Sequence, residues 1–259
     1  MNGQILPDKW FVSRELRPEA PVRLVCFPHA GGATAMFARW PAALGPGVEV
    51  AALALPGRER RIGEPAAVEV ERITEAVAAT ADRPYALFGH SMGALLAFEV
   101  VRRLRRDGAE LPVHLFVSGC PRPEHPRGGD IFDGLSRLGD AELLERLVRG
   151  GGLPALVLDE PELLELVLPV CRADFGWLDA YDCGDEPPVP VPITAFVGTE
   201  DASARPEDAS ARPEDAAGWA AHTTGSFTQH VVPGGHFFLD DNLDAISRAI
   251  RTGIGSPVA

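Results

Sequence analysis

The sequence predicts an α/β protein: a mostly parallel central sheet with helices on both faces and a helical insertion. Two observations predict the sheet. Short apolar runs rich in β-branched residues alternate with longer stretches of helical period, the pattern of successive strand–helix units. The runs are also continuous rather than alternating in polarity, as expected of strands buried on both faces. A third observation predicts the insertion: residues 124–187 carry no strand pattern at all.

The elements follow in order. VRLVCFP (22–28), VEVAALAL (48–55), YALFGH (85–90), VHLFVSG (113–119), ITAFVG (193–198) and TQHVVPG (228–234) read as strands. Helical period occupies 33–44, 69–81, 92–107, 215–222 and 241–252. Gly108 stands just past the third helix, where a left-handed cap sits. The inserted segment offers two or three helices dense in leucine and valine: Leu135, Leu138, Leu143, Leu144 and Leu147, then Leu163, Leu164, Leu166, Val167 and Leu168. A helical pair packing on itself accounts for them. A lid with an apolar inner face accounts for them and for their position, so the expected organisation is a core of 1–123 and 188–259 with a lid at 124–187.

Composition narrows the function. The 259 residues hold 46% hydrophobic and 24% charged residues, an ordinary globular balance. With 24 Lys and Arg against 37 Asp and Glu, the formal charge is −13. Nucleic acid is disfavoured as a partner, because binding it rests on neutralising phosphates. The start, MNGQILPDKWFVSREL, lacks the basic-then-apolar order of a secretory signal, and no apolar run is long enough to span a bilayer; a cytoplasmic, soluble, monomeric protein is expected. Cys26, Cys120, Cys171 and Cys183 are scattered, with neither CxxC nor metal-ligand spacing, and read as reduced thiols; no metal or cofactor is expected. Arginines cluster at Arg58, Arg60 and Arg61 and at Arg102, Arg103, Arg105 and Arg106. Both clusters read first as solvated surface, with local docking of an acidic partner as the alternative, since screening limits exposed charges to roughly 8–10 Å.

The chemistry begins at Gly89-His90-Ser91-Met92-Gly93. It follows a buried strand and opens an amphipathic helix, the context that a G-x-S-x-G nucleophile turn requires. Glycine at 89 and 93 lets backbone and helix approach, and the turn raises the Ser91 hydroxyl off the sheet edge. The N–H of Met92, at the helix N-terminus, is placed to meet a developing oxyanion.

A serine nucleophile needs a base, and the base an orienting acid, which follow the serine in the order acid, then histidine. His114 and His230 lie inside predicted strands, His125 opens the insertion and His222 ends a helix. His236, in VVPGGHFFL, follows the last strand on a loop freed by two glycines, and is the expected base. The acid belongs after ITAFVG, where a seven-residue unit, DASARPE, occurs twice and is followed by a third aspartate. Asp201 comes three residues after the strand's final glycine, Asp208 seven residues further on, and Asp215 at a helix start where it reads as a cap. Asp201 is preferred for its strand anchor; Asp208 is the alternative, ahead of Glu200 and Asp215. The second oxyanion donor belongs to the loop Phe27-Pro28-His29-Ala30-Gly31-Gly32, in which His29 is assigned to holding the loop.

The segments LVCFPHAGG, LPGRERR (55–61), FGHSMGALLAFEV, SGCPRP, LPVCRADFGWLDAY and GGHFFL together are far more specific than the serine turn. Over nearly its whole length the chain resembles the type II thioesterases of polyketide and nonribosomal peptide assembly lines, within the α/β-hydrolase fold. The resemblance implies Ser91 as nucleophile, His236 as base, Asp201 as acid, and the amides of Met92 and Ala30 as oxyanion donors. It implies as substrate an acyl group thioester-linked to the phosphopantetheine arm of a carrier protein, and as role the clearing of stalled or wrong acyl groups. The chain departs from the family pattern in the duplicated loop: counted back from Trp219, the acid would be Asp208. A small-molecule esterase or lipase on the same fold shares the serine turn, and a non-catalytic carrier-binding protein is the reading from another class.

Overall fold

The computed structural model describes residues 4–5, 9–124, 134–153, 158–201 and 214–255. Its centre is an eight-stranded sheet in the order β1-β2-β4-β3-β5-β6-β7-β8. Six strands are the expected ones: β3 (Val22–Phe27), β4 (Val48–Leu53), β5 (Tyr85–His90), β6 (His114–Ser118), β7 (Ile193–Gly198) and β8 (Phe227–Val232). They pair in parallel from β4 through to β8. The sequence reading missed two short antiparallel edge strands, β1 (Gln4–Ile5) and β2 (Phe11–Ser13). Three residues of edge strand are too few for a periodic signal; pairing with β4 creates β2.

Two apolar clusters show why the strand runs are continuous. In β3, Val25 and Phe27 face one cluster, while Leu24 and Cys26 face the other. The first face is covered by α2 (Val70–Ala78) and α3 (Met92–Arg106), the second by α1 (Trp40–Leu44) and α7 (Leu243–Gly253). Trp40 and Phe88 meet edge-to-face at 4.5 Å inside the second cluster, and each ring of this kind contributes about 2–3 kcal/mol by burial.

Two expected helices are shorter than predicted. The 33–44 stretch divides into a 3₁₀ turn at Thr34–Phe37 and α1, because Pro41 supplies a natural first-turn residue. The 215–222 stretch becomes α6 (Glu214–Ala217) followed by a 3₁₀ turn at Gly218–His222.

Between β6 and β7 the described part of the insertion holds a 3₁₀ turn (Leu135–Arg137), α4 (Asp140–Arg149) and α5 (Pro161–Ala180). Leu135, Leu143, Leu144 and Leu147 join the same apolar cluster as the sheet face and α3. Pro169 divides α5. Behind it Val170, Cys171, Asp174, Phe175 and Leu178 form a buried stripe, while ahead of it Leu163 and Leu166 are 40% and 47% exposed.

Both arginine clusters are bound into the fold. Arg102 is buried and paired with Glu99 at 2.6 Å and Glu186 at 2.9 Å; Arg103 pairs with Asp107 and Glu71, and Arg105 and Arg106 with Glu186. The whole cluster sits at the carboxyl end of α3, a helix of 15 residues, so at 1.5 Å per residue it lies roughly 17–23 Å along the helix from the serine turn. These arginines are thus already paired with carboxylates of the protein itself. In the first cluster Arg60 is exposed, but Arg61 is buried, pairs with Glu64 and lies 4.0 Å over the Trp10 ring, and Arg58 is buried against Asp174.

Candidate active site

Parallel strands bring their carboxyl ends to one edge, and the chain leaves that edge at each candidate residue. β3 delivers the 28–32 loop, β5 delivers Ser91, β7 delivers Asp201 and β8 delivers His236.

Ser91 holds φ 56° and ψ −120°, a strained conformation for a residue with a side chain. Its N–H donates to the Ser118 carbonyl at 2.7 Å, which ties the turn to β6. The flanking glycines are obligatory: a Cβ on Gly89 would lie 2.0 Å from the Gly93 carbonyl oxygen, and one on Gly93 would lie 2.2 Å from that of Phe27. Met92 opens α3, so its N–H belongs to the first turn and has no intrahelical acceptor.

His236 Nδ1 lies 3.1 Å and 3.2 Å from the two carboxylate oxygens of Asp201. A carboxylate only accepts, so Nδ1 carries the proton and Nε2 is the ring nitrogen that holds the lone pair. Asp201 is 1% exposed. Its position comes from β7: the N–H groups of Thr199 and Glu200 donate to the carbonyls of Val232 and Gly234, knitting the two loops together. A Cβ on Gly198 would meet the Gly234 oxygen at 2.5 Å, so the loops close only on glycine. The His236 ring is centred 5.1 Å from that of His90, the neighbour of Ser91. Glu200 is exposed, Asp215 lies within α6 on the far side of the duplicated loop, and Asp208 lies outside the described residues.

Burial shapes the other imidazoles. It holds His29 down at about 4 and His90 well below the ordinary imidazole value, so both are neutral at neutral pH. His29 donates from Nδ1 to the Ala30 carbonyl at 2.9 Å, the loop-holding role expected of it. His90 shares its Nδ1 with the Ser118 hydroxyl at 3.0 Å. Phe237 stands among the three, 5.0 Å from the His29 ring and 4.9 Å from that of His236, and its ring edges approach Gly151 and Gly152 of the insertion.

Sequence reasoning missed the residues beneath the 28–32 loop. Asp174 of α5 is fully buried and forms a two-pronged ion pair with Arg58, 2.7 Å on each arm. The signal was present as a carboxylate in the middle of an apolar helical stripe. Among the described residues no group of three His, Cys, Asp or Glu is arranged to hold a metal, and no helix is long and apolar enough to cross a membrane.

A sheet of this order, with a strained serine between strand and helix after β5 and an Asp–His pair on the carboxyl ends of β7 and β8, defines an α/β-hydrolase. The chain belongs to the thioesterase domain family, whose model matches residues 22–254, and it is a hydrolase of thioester bonds. It is 35% identical over 236 residues to the gramicidin S biosynthesis protein GrsT of Aneurinibacillus migulanus, covering 90% of this chain and 88% of the relative. Among solved structures it is similar to RedJ, a thioesterase from the prodiginine pathway of Streptomyces coelicolor, with 40% identity, TM-score 0.78 and coverage of 92% and 87%. It is also similar to BorB, the type II thioesterase of the borrelidin biosynthetic cluster, with 33% identity, TM-score 0.81 and coverage of 97% and 100%.

Proposed function

We propose that this protein is an editing thioesterase that removes acyl groups from the phosphopantetheine arm of carrier proteins in a polyketide or nonribosomal peptide assembly line. The observation that carries the reading is the buried Asp201 carboxylate on His236 Nδ1, with that imidazole beside the residue preceding the strained Ser91. The named contexts of GrsT, RedJ and BorB support the carrier-bound substrate.

In this reading Ser91 Oγ attacks the thioester carbonyl while His236 Nε2 takes its proton. Asp201 holds the imidazole in the required tautomer and stabilises the imidazolium. The N–H groups of Met92 and Ala30 meet the charge on the carbonyl oxygen; the described residues provide no hydrogen-bond acceptor for the Ala30 N–H. The thiol, whose pKa is far below that of an alcohol, leaves readily and takes up the proton held by the imidazolium, which returns His236 to its neutral form. Water then gives up a proton to His236, attacks the acyl-enzyme and regenerates Ser91. The protein's own residues account for each of these steps without a cofactor. The 124–187 segment acts as a lid over the acyl group, with Phe237 joining it to the histidine loop. Docking of the carrier is transient, the enzyme is monomeric, and it works in the cytoplasm.

The test is mass spectrometry of acyl-carrier proteins incubated with the parent protein or with Ser91→Ala. The parent is expected to release the acyl group and to show an acyl adduct on Ser91 at short times, and the variant to do neither. Hydrolysis by Ser91→Ala at the parent's rate, or a strong preference for matched oxygen esters, would overturn the reading.

A further inference from the structure

The 28–32 loop has no regular structure, yet the proposed oxyanion function demands that one amide in it be aimed to within a fraction of an ångström. Its hydrogen bonds show what fixes it. The peptide joining Ala30 to Gly31 is held at both polar atoms: its carbonyl accepts from His29 Nδ1 at 2.9 Å, and its N–H donates to Asp174 Oδ2 at 2.8 Å. The carbonyl of Gly32 accepts from Arg58 Nη1 at 2.9 Å. The same guanidinium grips Asp174 with both arms, so the carboxylate can neither rotate nor withdraw. Gly31 adopts φ 75°, and a Cβ there would also press on Cys171 Sγ at 3.3 Å, so the loop is seated directly on α5.

Arg58 is itself placed by its neighbour. Glu59 stands at φ 49° and caps the turn after the loop, taking the Thr34 N–H at 3.1 Å and its hydroxyl at 2.8 Å. Three segments distant in sequence thus converge: the 55–61 loop and the rear half of α5 form a cradle, and the 28–32 loop lies in it.

We propose that Asp174 and Arg58 are positioning residues for catalysis: by clamping the Ala30–Gly31 peptide they aim the Ala30 N–H at the oxyanion. The inference rests on the functional reading above, since it gives that amide its task. The ion pair touches neither Ser91 nor His236, so its loss removes transition-state stabilisation and leaves the proton chemistry intact. Both members are buried, Asp174 fully and Arg58 to 6% exposure. A neutral amide at 174 would set its NH₂ group against donors, and a lysine at 58 would keep the charge but lose the planar fork.

The experiment compares the parent with Asp174→Asn and Arg58→Lys, using an acyl-pantetheine thioester, an acyl trifluoromethyl ketone that Ser91 converts to a tetrahedral oxyanion, and an unreactive acyl-pantetheine thioether. Removing an oxyanion donor costs about 10²–10³ in kcat, and misaiming one is expected to cost about 10–100-fold. The expected result is that kcat falls by this factor and the ketone's inhibition constant rises by the same factor. KM, the thioether Kd and the pH–rate profile stay within about twofold, because the imidazole is untouched. Unchanged kcat and ketone affinity in folded variants, or an equal loss of thioether and ketone binding, would overturn the inference. If Asp174→Asn fails to fold, Arg58→Lys supplies the same comparison, and the same results support or overturn the inference. Full hydrolysis by Ser91→Ala would instead sink the underlying reading, so the two failures are distinguishable.

Discussion

His236 Nδ1 lies 3.1 Å from Asp201 Oδ1, and that carboxylate, 1% exposed, is the one at the end of β7 and not the second copy in the duplicated loop. Asp201→Asn is therefore expected to keep the fold and lower kcat about 10³–10⁴-fold, since an amide favours the wrong tautomer. Asp208→Ala is expected to retain kcat within about twofold. Steady-state hydrolysis of an acyl-pantetheine substrate by both variants checks the assignment, and the reverse ranking would move the acid to Asp208.

The serine turn has no room for a methyl group. Gly93→Ala would place a carbon 2.2 Å from the Phe27 carbonyl oxygen, within the strand that carries the 28–32 loop. A destabilisation of at least about 3 kcal/mol is expected. For a chain of this size that corresponds to a fall of about 6–12 °C in Tm, read by calorimetry.

Arginines at the far end of α3 are expected to be silent in catalysis. Arg103→Glu combined with Arg106→Glu removes contacts to Asp107, Glu71 and Glu186, all remote from Ser91. Turnover of carrier-bound substrate is expected to stay within about twofold. Arg102→Ala differs: it strips the buried partner from Glu99 and the donor from the Cys183 carbonyl. Loss of one member of a buried pair costs about 3–5 kcal/mol, measurable by urea unfolding.

Acid weakens the fold through its buried imidazoles. His114, stacked 4.3 Å from Phe116 and bonded to the Thr194 hydroxyl, is held by burial at about 4 instead of 6.5. Between those values the unfolded chain binds the proton and the native one does not. The contribution is thus complete above pH 6.5 and is lost as pH falls through the window towards 4. One such group gives a slope on the order of 1 kcal/mol per pH unit. Unfolding free energies measured from pH 7 down to pH 4 are expected to fall less steeply in His114→Gln by about that amount.

Much of this protein is written in local pattern. Continuous apolar runs such as YALF and ITAFV determine buried parallel strands, because a strand covered on both faces has no solvent side to mark. The glycines around Ser91 determine the turn, because backbone approach excludes any Cβ. Asp201 and His236 were legible because each follows a strand end, and a parallel sheet gathers such ends at one edge. The edge strands β1 and β2 were not, since two or three residues owe their conformation to a partner strand. The two arginine clusters read as surface for a related reason: a guanidinium looks solvated in sequence until the carboxylate that buries it is known.

By itself, then, the sequence determined the layer order and the chemistry offered at the sheet's edge, both of which arise from contacts within a strand and its adjoining turn. Only the tertiary structure decided that Asp174 and Arg58, 116 positions apart, lie under the Ala30–Gly31 peptide. It also decided that the α3 arginines are paired with Glu99, Glu71, Asp107 and Glu186. The physical reason is range: burial and turn geometry act between near neighbours in the chain, whereas an ion pair exists only where folding has brought its two charges to within about 4 Å and taken the water from between them.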